Sequence, residues 1–419
     1  MKKMLFSLIA LVALSCGDPA IEDYQPLPGG GGGGTVPVTP EPARDHWAAL
    51  ADSCTNVLVV NFLDKSTGTF WSTPNDIEHS TTYIYWQQAH ALDVLLYSAE
   101  RVKVSDPSRA ALYLDYADKW YRNYANNYNR TYRGEGEYGG FFNDYTDDMA
   151  WVCLTLIRMT EVSGEAKYRD TAREVFDRYI WPRRTTTEKG TGLPWTNHPE
   201  DQKNLNACTN APSCLVAAKL YEAYKVDSYL DIAKTLYQYD IANMPDAERV
   251  EEPPLTYTQG TFGEACRRLY HITGEETYMT KAGAVLKYAF TGNRCTDSAT
   301  GILRHEGTSM DQSLFKAVLI PYAVNYVLDD KADSHTAQTI REKLLLCAKQ
   351  LDRHLDRTKY PRMYCDYFWG STFTEGTPSM GAQTSGASLL EGVARLGTEY
   401  SPCFQKKEGS QSNFSPFSL

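Results

Sequence analysis

The sequence predicts an all-α fold, because a helix-pairing pattern recurs along most of the chain. In each copy a tyrosine is followed four residues later by an alanine, and residues four apart lie on the same face of a helix. A glycine, Gly164 or Gly274, precedes two of the tyrosines and fits the end of an earlier helix. The repeated unit is therefore two helices joined by a tight turn. The copies are Tyr113/Ala117, Tyr168/Ala172, Tyr229/Ala233 and Tyr278/Ala282.

Apolar residues at helical spacing extend this arrangement to about twelve helices, or six hairpins. Repeated hairpins of this length form either an open solenoid or a closed ring. Six of them favour a closed (α/α)6 barrel with an inner and an outer ring of helices. Besides the helices that carry the tyrosines, we predict helices at residues 46–63, 83–102, 149–163, 213–225, 261–273, 311–328, 334–355 and 382–396.

The connections between hairpins are long and rich in glycine, tryptophan and asparagine. They span residues 132–148, 186–210, 297–310 and 360–381. Long loops that carry aromatic residues are usually functional. In a barrel these loops would gather at one end, so we expect a cleft there.

The N-terminus predicts export. Lys2 and Lys3 precede an apolar run at residues 4–14, which is typical of a signal peptide and too short to span a bilayer. The segment 13–17 resembles a bacterial lipobox, which implies cleavage before Cys16 and acylation of that cysteine. Ordinary secretion is the alternative. We expect a lipoprotein on the cell surface or the periplasmic face of a bacterial outer membrane, held to the membrane by its lipid alone.

The domain organisation follows from composition. Residues 1–15 are the predicted signal peptide, and the glycine- and proline-rich residues 16–43 are expected to be a flexible tether. Residues 44–403 form the predicted catalytic domain, and residues 404–419 a polar tail. The net charge of −10 without basic clusters argues against nucleic acid as a partner. We expect a monomer.

The ten cysteines do not suggest a metal site. Cys208 and Cys214 could close a small disulfide loop in an exported protein. Cys153, Cys266 and Cys347 lie in apolar helical patterns and are expected to be buried free thiols. No cysteine–histidine spacing resembles a zinc site. We therefore expect neither a metal nor a cofactor.

Adjacent carboxylates are the most informative feature of the sequence. A glycine-rich aromatic segment at residues 139–145 leads into Asp147 and Asp148 at the predicted start of a helix. Glycoside hydrolysis needs two carboxyl groups beside one bond, about 5–5.5 Å apart in a retaining enzyme. The alternative is structural, because Thr146 could cap the helix and acidic residues favour its first turn. Asp144 is a third carboxylate that could take one of these roles.

Several blocks in order resemble glycoside hydrolase family 76, the bacterial and fungal α-1,6-mannanases. The resemblance covers most of the mature chain. It implies an (α/α)6 barrel and retaining hydrolysis of α-1,6-mannosidic bonds, with Asp147 as nucleophile and Asp148 as general acid/base. The blocks are Tyr85–His90, Asp147–Met149 with Trp151, Lys203–Asn204 with Asn210 and Ala217–Tyr221, Tyr257–Phe262, Asp311–Gln312 with Phe315–Lys316, and Gly381–Ser385.

The third block departs from the family pattern. Only Trp195 stands where paired tryptophans are common, and residues 208–212 replace a plainer Asn-Gly stretch. These differences affect the expected shape of the sugar subsites more than the reaction.

Further polar and aromatic residues are predicted to bind substrate. Amide side chains suit sugar hydroxyls because they both donate and accept hydrogen bonds, and the 29 tyrosines and 8 tryptophans suit stacking on sugar rings. Each could instead cap or bridge helices, and His90 fits a core or supporting position better than a direct contact. Trp195 and Trp369 lie in loops and are expected to be exposed. The candidates are Trp86, Gln87, His90, Asn143, Tyr145, Trp195, Asn204, Asn210, Gln259, Asp311, Gln312, Trp369 and Gln383.

Three hypotheses for function remain in view. The first is an endo-acting α-1,6-mannanase whose partner is α-mannan polysaccharide or oligosaccharide. The second is a glycan-binding lipoprotein without catalysis, which would not need an acid pair. The third is another (α/α)6 enzyme, such as a sugar epimerase or an unsaturated-glycoside hydrolase. Epimerases of this fold use paired histidines. None of the 8 histidines forms a convincing pair, so this hypothesis is the weakest.

Overall fold

The computed structural model describes residues 46–75, 85–127 and 141–404, which belong to one compact unit. The predicted signal peptide, the predicted acylation site Cys16 and the predicted tether all lie outside these residues. So do the tail after residue 404 and part of the 132–148 loop. Within the described residues, no helix is both long enough and apolar enough to cross a bilayer.

The described part of the chain is built from twelve α-helices and one two-stranded antiparallel hairpin. The strands are β1 (Thr185–Thr187) and β2 (Gly190–Gly192). The helices are α1 (His46–Phe62), α2 (Trp86–Val102), α3 (Pro107–Asn127), α4 (Thr146–Ser163), α5 (Ala166–Val175), α6 (Ala207–Tyr224), α7 (Asp227–Asn243), α8 (Thr256–Thr273), α9 (Glu276–Thr291), α10 (Met310–Val327), α11 (Ser334–His354) and α12 (Met380–Phe404).

The even-numbered helices form a closed inner ring. Each packs against the next, and α12 returns to pack against α2. The odd-numbered helices α3 to α11 pack outside the ring, each against the inner helix that precedes it, and α1 packs against α12. This is an (α/α)6 barrel, which confirms the predicted fold class.

The predicted hairpin turns are present. Gly164 and Gly274 follow α4 and α8 in the left-handed conformation, with φ of 82° and 75°. Their backbone N–H groups donate to the carbonyls of Thr160 and Tyr270, which closes the last helical turn. Lys225 makes the same turn after α6 with φ of 55°. The tyrosine–alanine pairs lie on the outer helices, where both members are buried. The pairs therefore mark the packing face of the outer ring.

Polar contacts join every pair of neighbouring inner helices. We call this set the polar ring. Its residues lie between the middle and the end of each inner helix, and each contact spans 3.3 Å or less. The contacts are Asp93–Arg158 (α2 to α4), Glu161–Lys219 (α4 to α6), Glu222–Arg268 (α6 to α8), Glu264–Asn325 (α8 to α10), Asn325–Arg395 (α10 to α12) and Glu391–Arg101 (α12 to α2).

The cysteines that the structure describes are all unpaired. The proposed loop between Cys208 and Cys214 is wrong, because both lie in α6 and face different neighbours. Cys214 donates to the carbonyl of Ala233 on α7, whereas Cys208 faces the barrel mouth. Cys153, Cys266 and Cys347 are buried free thiols, as predicted.

We expect Arg101→Ala to destabilise the protein strongly. The Arg101 guanidinium joins α2 to Glu391 of α12 at 2.6 Å and to Asp52 of α1 at 2.7 Å. Its loss would leave buried carboxylates short of a partner, which costs about 3 kcal/mol or more of unfolding free energy. Urea denaturation would measure the change.

The matched control is Arg178→Ala, which removes an arginine from an exposed ion pair with Glu174. This variant should unfold at the same urea concentration as the wild type. Equal effects of the two substitutions would contradict a structural role for the polar ring.

Candidate active site

A cleft of about 530 Å³ opens at the end of the barrel where the inner helices begin. Its walls come from the first turns of α2, α4, α6, α8 and α10 and from the loop before α6. The lining residues are Trp86, Gln87, Tyr145, Asp147, Asp148, Trp151, Trp195, Asn204, Asn206, Cys208, Tyr257, Asp311 and Phe315.

Asp147 is held by hydrogen bonds to both carboxylate oxygens. Its Oδ1 accepts from the backbone N–H of Asp148 at 3.0 Å. Its Oδ2 accepts from Nε1 of Trp195 at 3.2 Å and from Sγ of Cys208 at 3.6 Å. Burial raises the pKa of Asp147 to about 7, while the hydrogen bonds from Asp148, Trp195 and Cys208 work in the opposite direction.

Asp148 is half-buried and lines the same cleft from the first turn of α4. The capping role considered for Thr146 is not what the structure shows. The N-cap position belongs to Tyr145, which makes no side-chain cap, and the Thr146 hydroxyl accepts from Arg183 at 3.0 Å. The adjacent aspartates therefore face the cleft.

Four aromatic side chains form a continuous wall of the cleft. Tyr257 of α8 stacks on Phe315 of α10 with ring centroids 4.1 Å apart, and Phe315 lies parallel to Trp86 of α2 at 6.4 Å. Trp151 of α4 contacts both Trp86 and Tyr257. Because the rings come from four inner helices, the closed ring of the barrel sets the shape of this wall.

Asp311 is a third carboxylate in the cleft, in the first turn of α10. Its Oδ1 accepts from Nε1 of Trp86 at 3.0 Å and from the Gln87 amide. These bonds hold the Asp311 carboxylate of α10 against the start of α2. Asp311 is exposed and can accept further hydrogen bonds from a ligand in the cleft.

The loop that carries Trp195 is tied to the start of α4. The Thr146 N–H donates to the Trp195 carbonyl at 2.8 Å, and the Trp195 N–H donates to the carbonyl of Asn204 at 2.9 Å. Asp144 is buried and accepts from the Asn197 amide at 3.1 Å. Asp144 therefore fastens the loop and does not line the cleft.

The structure brings eight of the predicted site residues together and leaves the others outside the cleft. Those in the cleft are Trp86, Gln87, Tyr145, Asp147, Asp148, Trp195, Asn204 and Asp311. Those outside it are His90, Asn143, Asn210, Gln259, Gln312, Trp369 and Gln383.

Three of the outlying amides are fully buried and hold loops to helices. Asn210 bonds both backbone groups of Leu193. Gln259 accepts from the Val250 N–H, and Gln383 joins the Cys365 N–H to the carbonyl of Cys54. Their predicted contact with substrate is not supported, because loop backbone already occupies these side chains.

His90 and Asn143 also lie behind the cleft. The His90 ring contacts Trp86 and Trp151 from below, with centroids 5.2 and 5.3 Å away, so it supports the aromatic wall. Asn143 is buried, and its Oδ1 accepts from the Tyr145 N–H at 2.9 Å.

Gln312 and Trp369 also lie outside the cleft. Gln312 is exposed at the start of α10, where it contacts its N-cap residue Ser309 outside the cleft. The expectation that Trp369 is exposed is wrong. Its indole is fully buried and the Lys316 ammonium lies 4.1 Å from its ring, so it cannot present a face to a sugar.

Sequence reasoning missed five lining residues, of which two carried a usable signal. Trp151 and Phe315 lie four residues after Asp147 and Asp311, and side chains four apart share a helix face. Asn206 accepts from the Thr209 N–H as the N-cap of α6. Its position before a helix therefore predicts a capping residue and gives no indication that it lines the cleft. Tyr257 begins one of the blocks that resemble the family, and Cys208 begins the segment that departs from its pattern, but neither feature shows whether the side chain faces the cleft or the core.

Residues 46–396 match the family model described as glycosyl hydrolase family 76. The chain belongs to this family. It is therefore a glycoside hydrolase, as the sequence blocks predicted. No curated protein matches the chain.

Solved structures share the fold of this family 76 chain. The α-1,6-mannanase of Salegentibacter sp. HEL1_6, an inactive variant with two consecutive aspartates replaced by alanine and bound to α-1,6-mannotetrose, is 22% identical. The match covers 84% of this chain and 99% of that one, with a TM-score of 0.70. A Listeria innocua protein is 23% identical over 84% of this chain and 98% of its own, with a TM-score of 0.68. A family 76 mannosidase of Bacteroides thetaiotaomicron is 18% identical over 85% and 100%, with a TM-score of 0.66.

We expect Asp147→Asn to stabilise the protein more at pH 8 than at pH 5. The raised pKa means that the folded protein binds this proton more tightly than the unfolded chain does, so ionisation at high pH lowers the free energy of unfolding. Asparagine removes that buried charge. At pH 5 the folded carboxyl is protonated while the unfolded one is already largely ionised, so the gain should be smaller than at pH 8 and should vanish only below about pH 4. Melting temperatures at the two pH values would measure it.

The control is Asp231→Asn on the exposed face of α7, which removes a solvent-exposed carboxyl and should change the melting temperature little. A gain for Asp147→Asn that is larger at pH 5 than at pH 8 would contradict the raised pKa.

Proposed function

We propose that this family 76 protein is a retaining, endo-acting α-1,6-mannanase. The observation that carries the proposal is the pair Asp147–Asp148 at the base of an open cleft beside an aromatic wall. Its support from known proteins is the α-1,6-mannanase of the same fold, whose variant lacking two consecutive aspartates is inactive.

The proposed reaction has two displacements. In the first, the Asp147 carboxylate attacks the anomeric carbon while Asp148 donates its proton to the departing glycosidic oxygen. This step forms a covalent mannosyl ester and releases one part of the chain. In the second, Asp148 takes a proton from water, whose oxygen attacks the anomeric carbon and frees Asp147. Two inversions give net retention.

The hydrogen bonds favour Asp147 as the nucleophile. Both of its oxygens accept from protein donors, an arrangement that suits an ionised acceptor. A general acid must present its own proton to the glycosidic oxygen, and Asp148 lines the cleft beside it. The donors on both oxygens of Asp147 support its role as the nucleophile, and the adjacent Asp148 is the proposed acid/base.

The cleft suits a neutral, polyhydroxylated chain. Its volume of about 530 Å³ lies in the usual range for ligand pockets. The rings of the aromatic wall can pack against sugar C–H groups, while Gln87, Asn204 and Asp311 offer donors and acceptors for hydroxyls.

Export as a lipoprotein completes the proposal. The apolar run before Cys16 supports acylation of that cysteine, and the glycine-rich composition of residues 29–34 is typical of a linker between an anchor and a domain. Growth with labelled palmitate should label the wild type and leave Cys16→Ser unlabelled. Label on both proteins would contradict acylation at Cys16.

We expect the wild type to release a ladder of α-anomeric oligosaccharides from unbranched α-1,6-mannan. Asp147→Asn and Asp148→Asn should each lower kcat by about 10³-fold, because each removes a group that takes part in bond making or proton transfer. Reducing-end release and early product anomers by NMR would measure both outcomes.

Asp231→Asn, outside the cleft, should retain wild-type activity and serves as the control. Full activity in both site variants would refute the assigned pair. Tight mannan binding by the wild type without any cleavage would instead indicate a glycan-binding protein.

A further inference from the structure

Two side chains from different parts of the chain converge on one oxygen of Asp147. The Trp195 indole reaches Oδ2 from the loop before α6, and the Cys208 thiol reaches it from the first turn of that helix. We call Trp195 and Cys208 the donor pair. Both side chains donate to this oxygen, so they can influence the reaction through Asp147.

We propose that the donor pair consists of positioning residues that hold the Asp147 carboxylate, ionised and fixed in rotation, as the nucleophile. This inference rests on the proposed function. It assigns a role to the segment in which the sequence departs from the family pattern, with a single tryptophan followed by a cysteine.

Trp195 is suited to this role because it is fixed on both sides. Its backbone N–H and carbonyl are bonded to Asn204 and Thr146, and its ring packs edge-on against Tyr145 at 5.0 Å. An indole N–H can only donate. Trp195 therefore holds a single N–H donor at a fixed position beside Asp147. This donor stabilises the ionised form of Asp147 relative to the protonated form.

Cys208 offers a donor that can turn between two acceptors. Its Sγ lies 3.1 Å from Oδ1 of Asn206 and 3.6 Å from Oδ2 of Asp147, and a thiol has one proton to donate. Burial raises the pKa of the Cys208 thiol well above its usual range, so the proton stays in place. An ionised carboxylate is a stronger acceptor than an amide. Ionisation of Asp147 therefore draws the thiol towards it.

The donor pair and burial have opposite effects on the pKa of Asp147. Removing water from Asp147 raises its pKa to about 7, and each donor that prefers the ionised form lowers it again. The other ionisable groups that line this part of the cleft are Asp148, Tyr257 and Asp311, and the charge of Glu251 acts on Cys208 and Tyr257. Among them, burial raises the pKa of Glu251 to about 7, so its titration must be separated from that of Asp147.

The variants that test the proposal change one donor at a time. Trp195→Phe removes the indole N–H and keeps an aromatic face. Cys208→Ala removes the thiol, and Cys208→Ser replaces it with a hydroxyl donor. Cys214→Ala is the matched control, because it removes a buried thiol from the same helix that donates to Ala233 instead.

The first experiment does not require activity. Melting temperatures of Trp195→Phe and Cys208→Ala should fall further below the wild type at pH 8 than at pH 5, because the lost bond favours ionised Asp147. The same substitutions in an Asp147→Asn background should give losses that do not depend on pH, which also separates Asp147 from Glu251. Equal losses at both pH values in the native background would overturn the proposal.

The second experiment is the pH profile of kcat/KM on unbranched α-1,6-mannan. If Asp147 must be ionised, wild-type activity falls as pH drops through about 7. Trp195→Phe and Cys208→Ala should move this limb upward by roughly half to one pH unit. Cys208→Ser should return it towards the wild type, and Cys214→Ala should leave it unchanged.

The outcomes separate the two proposals. Absence of cleavage by the wild type would refute the proposed function, while the melting experiment would still test the donor pair. If the wild type cleaves mannan but the acidic limb of the pH profile is the same in Trp195→Phe and Cys208→Ala as in the wild type, the proposed role of the donor pair is wrong and the proposed function stands. Activity that is lost as pH rises through about 7, with that limb moved by the donor variants, would show that Asp147 acts as the acid and would overturn its assigned role.

Discussion

The closed inner ring of helices is the constraint on which the rest of this structure depends. Buried charges cost free energy unless they are paired or hydrogen-bonded, and the polar ring supplies ion pairs between most neighbouring inner helices and hydrogen bonds through the Asn325 amide between the others. A contact such as Glu391–Arg101 therefore fixes both the closure of the ring and the register of two helices. With their far halves fixed, the helices bring their first turns together at the opposite end.

That convergence gives the cleft its electrostatic character. The N-terminus of a helix carries partial positive charge and favours a nearby carboxylate. Asp147, Asp148 and Asp311 all occupy first turns of inner helices. Burial opposes ionisation of Asp147, so its protonation depends on a balance between lost water and the donors around it. A balance close to neutral pH allows small structural changes to have large effects on reactivity.

The sequence predicted the repeated parts of this molecule better than the single ones. The tyrosine–alanine spacing and Gly164 located the hairpins because helical geometry repeats every turn. Asp147 and Asp148 were found because adjacent carboxylates beside a glycine-rich aromatic segment suit glycoside hydrolysis. Gln259 showed only that an amide lies near a helix start, and sequence does not tell which way such a side chain turns.

The same limit explains why the burial of Trp369 and the contact between Cys208 and Asp147 were not predicted. A tryptophan in a long loop suggests exposure, yet the loop folds back and buries the indole beside Lys316. The approach of Cys208 to Asp147 joins α6 to α4, and no local pattern reports a contact between separate helices. Such contacts depend on how the ring closes.

The lengths of the connections differ between the two ends of the barrel. At the far end the chain passes from inner to outer helices through short segments, which are residues 103–106, 164–165, 225–226, 274–275 and 328–333. At the mouth it crosses by much longer segments, such as 292–309 and 355–379. Insertions, deletions and exchanges can accumulate at the mouth without altering the frame beneath it. The catalytic residues can therefore stay the same while the glycan that is bound changes. Exchanging one mouth segment for that of another family member is a practical way to seek a new specificity.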